Sequence, residues 1–218
     1  IDCGGDEDHD EFRVRVRGLP RKSARDSIID SETVAQAIDR GRTFDRETVR
    51  MLPTILMCDP AWTGGDETTI WIRRGSWAHL LDRYRLDRDA GDTHMLTYQK
   101  LCYYEREWSA DAVFIDQGEG TAIYTLAVND GKYWELVAFG GKPNDAMEFK
   151  DSEYANMRAQ LYYQTRKWLR AGAVITAERS EWIPDVAKQL CWAKGDRHKV
   201  HNKKKVEPKE DIKKRFGF

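Results

Sequence analysis

Two short stretches of the sequence decide the fold: Ile-Leu-Met-Cys-Asp at residues 55–59 and Ala-Val-Phe-Ile-Asp at residues 112–116. Each is an apolar run that ends in an aspartate, the pattern of a strand buried on both faces of a sheet. Each is followed by turn sequence that contains two glycines. If the two strands are neighbours, Asp59 and Asp116 emerge side by side at one edge of the sheet.

The sequence around these runs predicts an α/β domain with a mixed sheet. Apolar segments at residues 69–73 and 77–86 follow the first run with tight connections, which predicts an antiparallel meander. Helical periodicity then alternates with short strands. The packed face of the helix at 93–108 should include Leu96, and that of the helix capped by Asp151 or Ser152 should include Leu161. Other helices are expected at residues 31–38, 118–128, 182–190 and 208–215, and other strands at 133–139 and 174–175.

The first 50 residues differ from the rest and are interpreted as an arm or linker from a preceding domain. Residues 12–17 alternate apolar and basic side chains, which predicts a strand, and Gly18 and Pro20 end it. The compact domain is predicted to span residues 51–218. Because the chain begins at Ile1, we expect it to be part of a longer protein.

Composition excludes some classes of protein and leaves others open. A 218-residue chain that is 40% hydrophobic can bury a sizeable core, and no apolar run approaches the ~20 residues of a membrane span. The net charge is −1, but the stretch from Lys194 to Arg215 contains ten basic residues and only four acidic ones. That asymmetry fits a surface for a polyanion or a merely solvated face. Cys191, His198 and His201 lack a fourth ligand for zinc.

Asp59 and Asp116 are the candidate metal ligands. Adjacent carboxylates repel each other unless a cation lies between them, and their hard oxygens suit Mg²⁺ or Mn²⁺. The alternative is that both are ordinary turn-initiating aspartates. Asp66, one hairpin from Asp59, is a third candidate or a plain turn residue. Gly118 and Gly120 either admit a phosphate or serve a simple turn.

Other catalytic signatures are absent from the sequence. It contains neither the phosphate loop of an ATPase nor the nucleophile elbow of a serine hydrolase. The eight tryptophans and nine tyrosines lie mostly at helical or strand periodicity, so core packing is their expected role.

The order of these motifs resembles phage terminase large subunits, from the end of their ATPase half through their nuclease half. Residues 12–20 resemble the segment that leaves the motor domain. Residues 58–68 and 114–120 resemble the first and second acidic motifs of the ribonuclease H-like nuclease. Residues 209–217 resemble the run before the family's last acidic motif. The resemblance covers nearly the whole chain and implies a ribonuclease H-like fold.

What the resemblance implies is a metal-dependent endonuclease that cleaves concatemeric double-stranded DNA by two-metal-ion phosphodiester hydrolysis. Asp59 and Asp116 would bind two Mg²⁺ or Mn²⁺ ions, Asp66 would be an auxiliary catalytic acid, and a third metal-binding aspartate is expected after Phe218. The expected partners are double-stranded DNA and, in the full-length protein, the ATPase domain, the portal and the small terminase subunit, with no membrane. The enzyme would act in the host cytoplasm at the procapsid portal and be absent from the mature virion. Candidate phosphate contacts are basic residues: Lys142, Lys194, Arg197, Lys199, Lys203, Lys204 and Lys205.

Two other functions stay open. Another ribonuclease H-like nuclease, such as a junction resolvase, would prefer branched DNA to linear duplex. A non-catalytic docking module would instead bind the portal or the small terminase through residues 13–17 or the helix at Trp182, whether or not a chelator is present.

Overall fold

The computed structural model describes residues 27–62, 65–86, 93–144, 152–197 and 203–216. Within these ranges a six-stranded sheet is flanked by helices, and a two-stranded ribbon lies apart from it. The strands of the large sheet are β1 (Thr54–Asp59), β2 (Thr68–Arg74), β3 (Trp77–Tyr84), β4 (Ala112–Asp116), β5 (Glu135–Val137) and β6 (Val174–Ala177). The ribbon consists of β7 (Gly195–Arg197) and β8 (Lys204–Val206). The α-helices are α1 (Ser31–Gly41), α2 (Thr93–Trp108), α3 (Gln117–Asn129), α4 (Met157–Arg170), α5 (Ile183–Leu190) and α6 (Lys209–Phe216).

The order of strands in the sheet is β5-β4-β1-β2-β3-β6. β1, β2 and β3 form the predicted antiparallel meander, while β4 pairs parallel to β1, β5 parallel to β4 and β6 parallel to β3. This confirms the predicted fold class, a mixed sheet with helices around it. β1 lies in the interior of the sheet. Leu56 and Cys58 are buried and Ile55 and Met57, which alternate with them, are half-buried, because protein covers both faces of the strand.

Two hydrophobic clusters hold the helices to the sheet. The first joins α2 and α3 to strand residues that include Leu56, Ile70 and Ile115. The second joins α1, α4, α5 and α6 around Ile175 of β6 and Val206 of β8.

Helix α1, which the sequence places in the connector, packs against β6. Asp30 caps it, with a carboxylate oxygen that accepts a hydrogen bond from the Thr33 N–H at 2.7 Å. The Arg40 guanidinium donates to the carbonyl of Ala173 at 2.7 Å. The domain boundary at residue 50 stays a prediction, and the strand predicted at residues 12–17 lies outside the described residues.

Some local predictions were wrong. Leu96 of α2 and Leu161 of α4 are exposed, whereas Thr97 is buried. Burial of Thr97 is possible because its hydroxyl donates to the Thr93 carbonyl at 3.1 Å and accepts from the Tyr84 hydroxyl at 3.0 Å. Asn156 caps α4, in place of Asp151 or Ser152, by accepting from the Ala159 N–H at 2.9 Å.

Strand β5 is shorter than predicted. It spans three residues, and the flanking Tyr133 and Phe139 lie outside it. β5 is an edge strand that pairs only with β4, and its three residues are the partners of residues 114–116.

Candidate active site

Asp59 and Asp116 are brought together by the parallel pairing of β1 and β4. Cys58 lies opposite Ile115 in this register. The next residue on each strand is its last, so Asp59 at the end of β1 lies beside Asp116 at the end of β4. Cys58 and Ile115 both belong to the cluster beneath α2 and α3. Since successive side chains alternate between faces, both aspartates lie on the other face of the sheet. The two carboxylates are therefore neighbours on one face at one edge, as the sequence predicted.

The electrostatics of Asp59 match this crowding. Burial raises the pKa of its carboxyl to about 6, and the charges of Asp116 and Asp66 contribute in the same direction. The Lys209 ammonium opposes the rise. Asp59 still reaches solvent, as a site open to a substrate must.

Asp116 is held by the start of the helix that follows it. Burial raises the pKa of its carboxyl, while the nearby backbone N–H groups of Gly118 and Gln117, and the charge of Lys209, lower it. The carboxylate thus lies at the amino end of α3, where backbone N–H groups and the helix dipole favour an anion.

Lys209 is a member of the site that the sequence-based interpretation missed. It is the first residue of α6 and lowers the pKa of both Asp59 and Asp116. Further along the helix, the Lys213 ammonium lies 3.6 Å from a carboxylate oxygen of Asp66. The sequence presented these lysines only as part of a basic tail, and the packing of α6 brings them to the site.

The paired aspartates fit a divalent cation. Both are hard oxygen ligands, and the charge of Asp116 disfavours ionisation of Asp59, a repulsion that a bound cation would remove. Asp66 adds to the negative potential, but its exposed carboxylate is paired with Lys213. Among the described residues no group of three or more His, Cys, Asp or Glu side chains is arranged to hold a metal.

The glycines after β4 have different roles. A Cβ at Gly120 would lie 2.4 Å from the Cγ2 of Ile115 and 3.6 Å from the Cγ of Pro60. Gly120 is therefore needed for the close packing of α3 on β4 and β1. A Cβ at Gly118 would meet only a carboxylate oxygen of Asp116, at an ordinary 3.6 Å.

Two of the candidate phosphate contacts, Lys142 and Lys204, lie near the amino end of α4. Lys142 lies in the turn after β5, and that turn is joined to α4 by the hydrogen bond from the Met157 N–H to the Gly141 carbonyl at 2.9 Å. Just before α4, the Ala155 N–H donates to the Lys204 carbonyl of β8 at 2.9 Å. β8 thereby connects to the end of the sheet that carries the aspartates.

The lysines of this group differ in how far they are already engaged. The Lys204 ammonium pairs with Glu153 and lies 5.4 Å from the ring centre of Tyr154. Lys205 is exposed, and Lys203 is half-buried. Lys194 borders β7 and Arg197 ends it, while Lys199 lies outside the described residues, as do the histidines considered for zinc. No helix among the described residues is long and apolar enough to cross a membrane.

Comparisons with known proteins show what the fold is similar to. The nuclease domain of the large terminase subunit gp2 of bacterial virus Sf6 aligns with a TM-score of 0.66 and 17% identity, over 88% of this chain and 92% of that one. A mutant of that domain with manganese and beta-thujaplicinol aligns with a TM-score of 0.67 and 16% identity, over the same shares of the two chains. The large terminase nuclease of thermophilic phage G20c with bound magnesium aligns with a TM-score of 0.54 and 13% identity, over 87% of this chain and 93% of that one.

These likenesses confirm the predicted fold, that of the ribonuclease H-like terminase nucleases. No protein-family model matches the sequence, and no curated protein matches it either. The similarity is thus one of three-dimensional structure at low sequence identity.

Proposed function

We propose that this chain is the nuclease domain of a viral genome-packaging terminase, an endonuclease that hydrolyses DNA phosphodiester bonds with Mg²⁺ or Mn²⁺. The observation that carries the proposal is the placement of Asp59 and Asp116 on one face of adjacent parallel strands, at the carboxyl ends of those strands. Support comes from the fold, which two phage terminase nuclease domains share over most of their length.

Each element of the site has a distinct role in this proposal. Asp59 and Asp116 would hold the cations. Bound divalent cations would activate water and stabilise the negative charge that develops on the phosphate. Asp66 strengthens the negative potential at Asp59. Lys209 offsets part of the repulsion between the two aspartates before metal binds.

Substrate binding follows from charge. Lys142, Lys203 and Lys205, with the other basic residues near the amino end of α4, contact phosphates of double-stranded DNA. Such contacts position the duplex without reading base sequence, so cleavage should show little sequence preference. In the complete protein, the partners of this domain would be the ATPase domain, the portal and the small terminase subunit. The domain would cleave concatemeric DNA in the host cytoplasm.

The test is nicking and linearisation of supercoiled plasmid with Mn²⁺, with Mg²⁺ and with EDTA. Asp59→Asn and Asp116→Asn should each abolish metal-dependent cutting while DNA binding persists. Asp39→Asn is a matched control, because Asp39 lies on α1, with an exposed side chain 3.4 Å from Arg42. Cutting by both site variants at the rate of the unsubstituted chain would refute the assignment.

The same assay covers two other interpretations. If both site variants bind DNA and packaging partners normally and the unsubstituted chain never cuts, a docking module is the better description. A preference for four-way junctions over linear duplex would indicate a junction resolvase instead. For the basic face, charge reversal of Lys203 and Lys205 should weaken DNA binding and reduce its dependence on salt.

A further inference from the structure

Two aromatic side chains at the edge that carries the aspartates are exposed instead of buried. Trp62 has 55% of its surface exposed and Phe139 has 39%. Isolated exposed aromatics are common on protein surfaces, but these two flank the candidate metal ligands. Their positions are fixed by the chain that leaves β1 and β5.

Trp62 lies beyond the end of β1. It follows Asp59 by three residues, so the two Cα atoms are at most ~10 Å apart. The residue before it is anchored, because the Ala61 N–H donates to the Thr68 hydroxyl at 3.0 Å and that hydroxyl donates back to the Ala61 carbonyl at 3.2 Å. The indole also meets His94, in the first turn of α2, edge to face with ring centres 5.4 Å apart. The ring is therefore held at its edge while more than half of its surface stays accessible.

Phe139 lies beyond the end of β5, on the other side of Asp116. Val137 is the register partner of Asp116, and Phe139 follows it by two residues. Its carbonyl accepts a hydrogen bond from the Arg158 N–H of α4 at 2.9 Å. The strand order places these residues in the sequence Phe139, Asp116, Asp59 and Trp62 along the carboxyl ends of β5, β4 and β1.

This arrangement suits a nucleic acid strand whose bases are unpaired. The faces of bases inside a duplex are covered by their neighbours, whereas an unpaired base offers a free face that stacks on aromatic side chains. The phosphates of such a strand would lie near Lys142, three residues after Phe139. Since nucleotides in a stacked strand rise about 3.4 Å each, the ~10 Å that at most separates the Cα atoms of Trp62 and Asp59 corresponds to the first few nucleotides beside the cut.

We propose that Trp62 and Phe139 stack on unpaired bases on either side of the scissile phosphate, so that the domain cuts DNA preferentially where the duplex is locally open. The inference rests on the proposed nuclease function and adds the class of substrate. Trp62 makes the stronger contact, because its ring is larger and more exposed.

The experiment compares three labelled substrates: a fully paired duplex, the same duplex with a central mismatched bubble, and the single strand. Binding is measured by fluorescence anisotropy with Ca²⁺, and cleavage with Mn²⁺. The unsubstituted chain should bind and cut the bubble better than the paired duplex. Trp62→Ala should weaken binding to the bubble and the single strand on the order of 5- to 100-fold, with Phe139→Ala at the lower end. Trp62→Phe should retain most of the affinity, and all variants should bind the paired duplex as before.

Tyr133→Ala is the matched control. Tyr133 is 96% exposed but precedes β5 and therefore lies at the opposite edge of the sheet, so its removal should change none of these affinities. Urea unfolding of each variant checks that folding is intact.

The inference is overturned if Trp62→Ala binds the bubble as the unsubstituted chain does, or loses affinity equally for bubble and duplex. This result is distinguishable from failure of the proposed function. A chain that binds DNA but never cuts, or cuts equally well as Asp59→Asn, would refute the nuclease, while the anisotropy comparison would still decide the role of the two aromatics.

Discussion

Gly120→Ala tests how closely α3 must pack on the strands that carry the aspartates. The new methyl group would lie 2.4 Å from the Cγ2 of Ile115, at least about 1 Å short of an ordinary carbon–carbon contact. Ile115 is fully buried, so its side chain has no solvent to move into. Overpacking of this kind costs about 1–3 kcal/mol. Alanine's better helix propensity returns roughly 0.5–1 kcal/mol, which leaves a net loss of about 1 kcal/mol, within roughly 0–2.5 kcal/mol, in the free energy of unfolding.

The measurement is urea denaturation followed by circular dichroism, with Gly118→Ala as the control on the same helix. A methyl group at Gly118 meets only a carboxylate oxygen of Asp116 at 3.6 Å, so the control should be neutral or up to about 1 kcal/mol more stable. Because Ile115 directly precedes Asp116, Gly120→Ala should also lower nuclease activity. Equal or greater stability of Gly120→Ala relative to the unsubstituted chain would show that the close packing argument is wrong.

Three further predictions concern the charges of the site. The pKa of Asp59 is raised to about 6 in the folded chain, so ionisation of its carboxyl opposes folding. The free energy of unfolding should therefore fall as pH rises from about 4 through 6. A shift of two pKa units corresponds to ~3 kcal/mol, which partial solvent exposure of the carboxyl reduces to about 1 kcal/mol. Asp59→Asn in EDTA should therefore unfold at higher urea concentration at pH 8 but not at pH 4, and equal midpoints at pH 8 would contradict the assigned burial. Lys209→Met should raise the pKa of both Asp59 and Asp116, measured by carboxyl-carbon NMR titration, and unchanged titrations would place Lys209 away from the pair. Mg²⁺ at a hundredfold excess over its Kd should stabilise the unsubstituted chain by about 2.7 kcal/mol and raise its thermal midpoint. The thermal midpoint of Asp116→Asn should not change. An equal rise in both proteins would put the cation elsewhere.

Pattern and local sequence were enough to predict the central part of the fold. The apolar runs at residues 55–58 and 112–115 are typical of strands covered on both faces. The sequence places an aspartate directly after each run. Short connections between the first three strands left an antiparallel meander as the simple arrangement. These features depend on neighbours in the chain, which is why they could be inferred before any packing was known.

Side-chain burial on the helices was harder to infer. Leu96 and Leu161 are apolar at helical spacing but are exposed, while Thr97 is buried because Tyr84 and Thr93 satisfy its hydroxyl. The cap of α4 was misplaced for a similar reason, since Asn156, Asp151 and Ser152 are all good caps and only the backbone geometry selects among them. Propensity ranks such alternatives without deciding between them.

The sequence by itself determined that two aspartates would end two buried strands, because alternation and apolar runs are local properties of the chain. The tertiary structure alone decided that these strands pair in parallel, in a register that makes Asp59 and Asp116 neighbours on one face. It also brought Lys209 from 93 positions beyond Asp116 to the pair, gave Gly120 its packing role, and left Trp62 and Phe139 exposed on either side of the carboxylates. The physical reason is that charge coupling and exposure depend on distances in space, which strand register and helix packing set and which spacing along the chain does not.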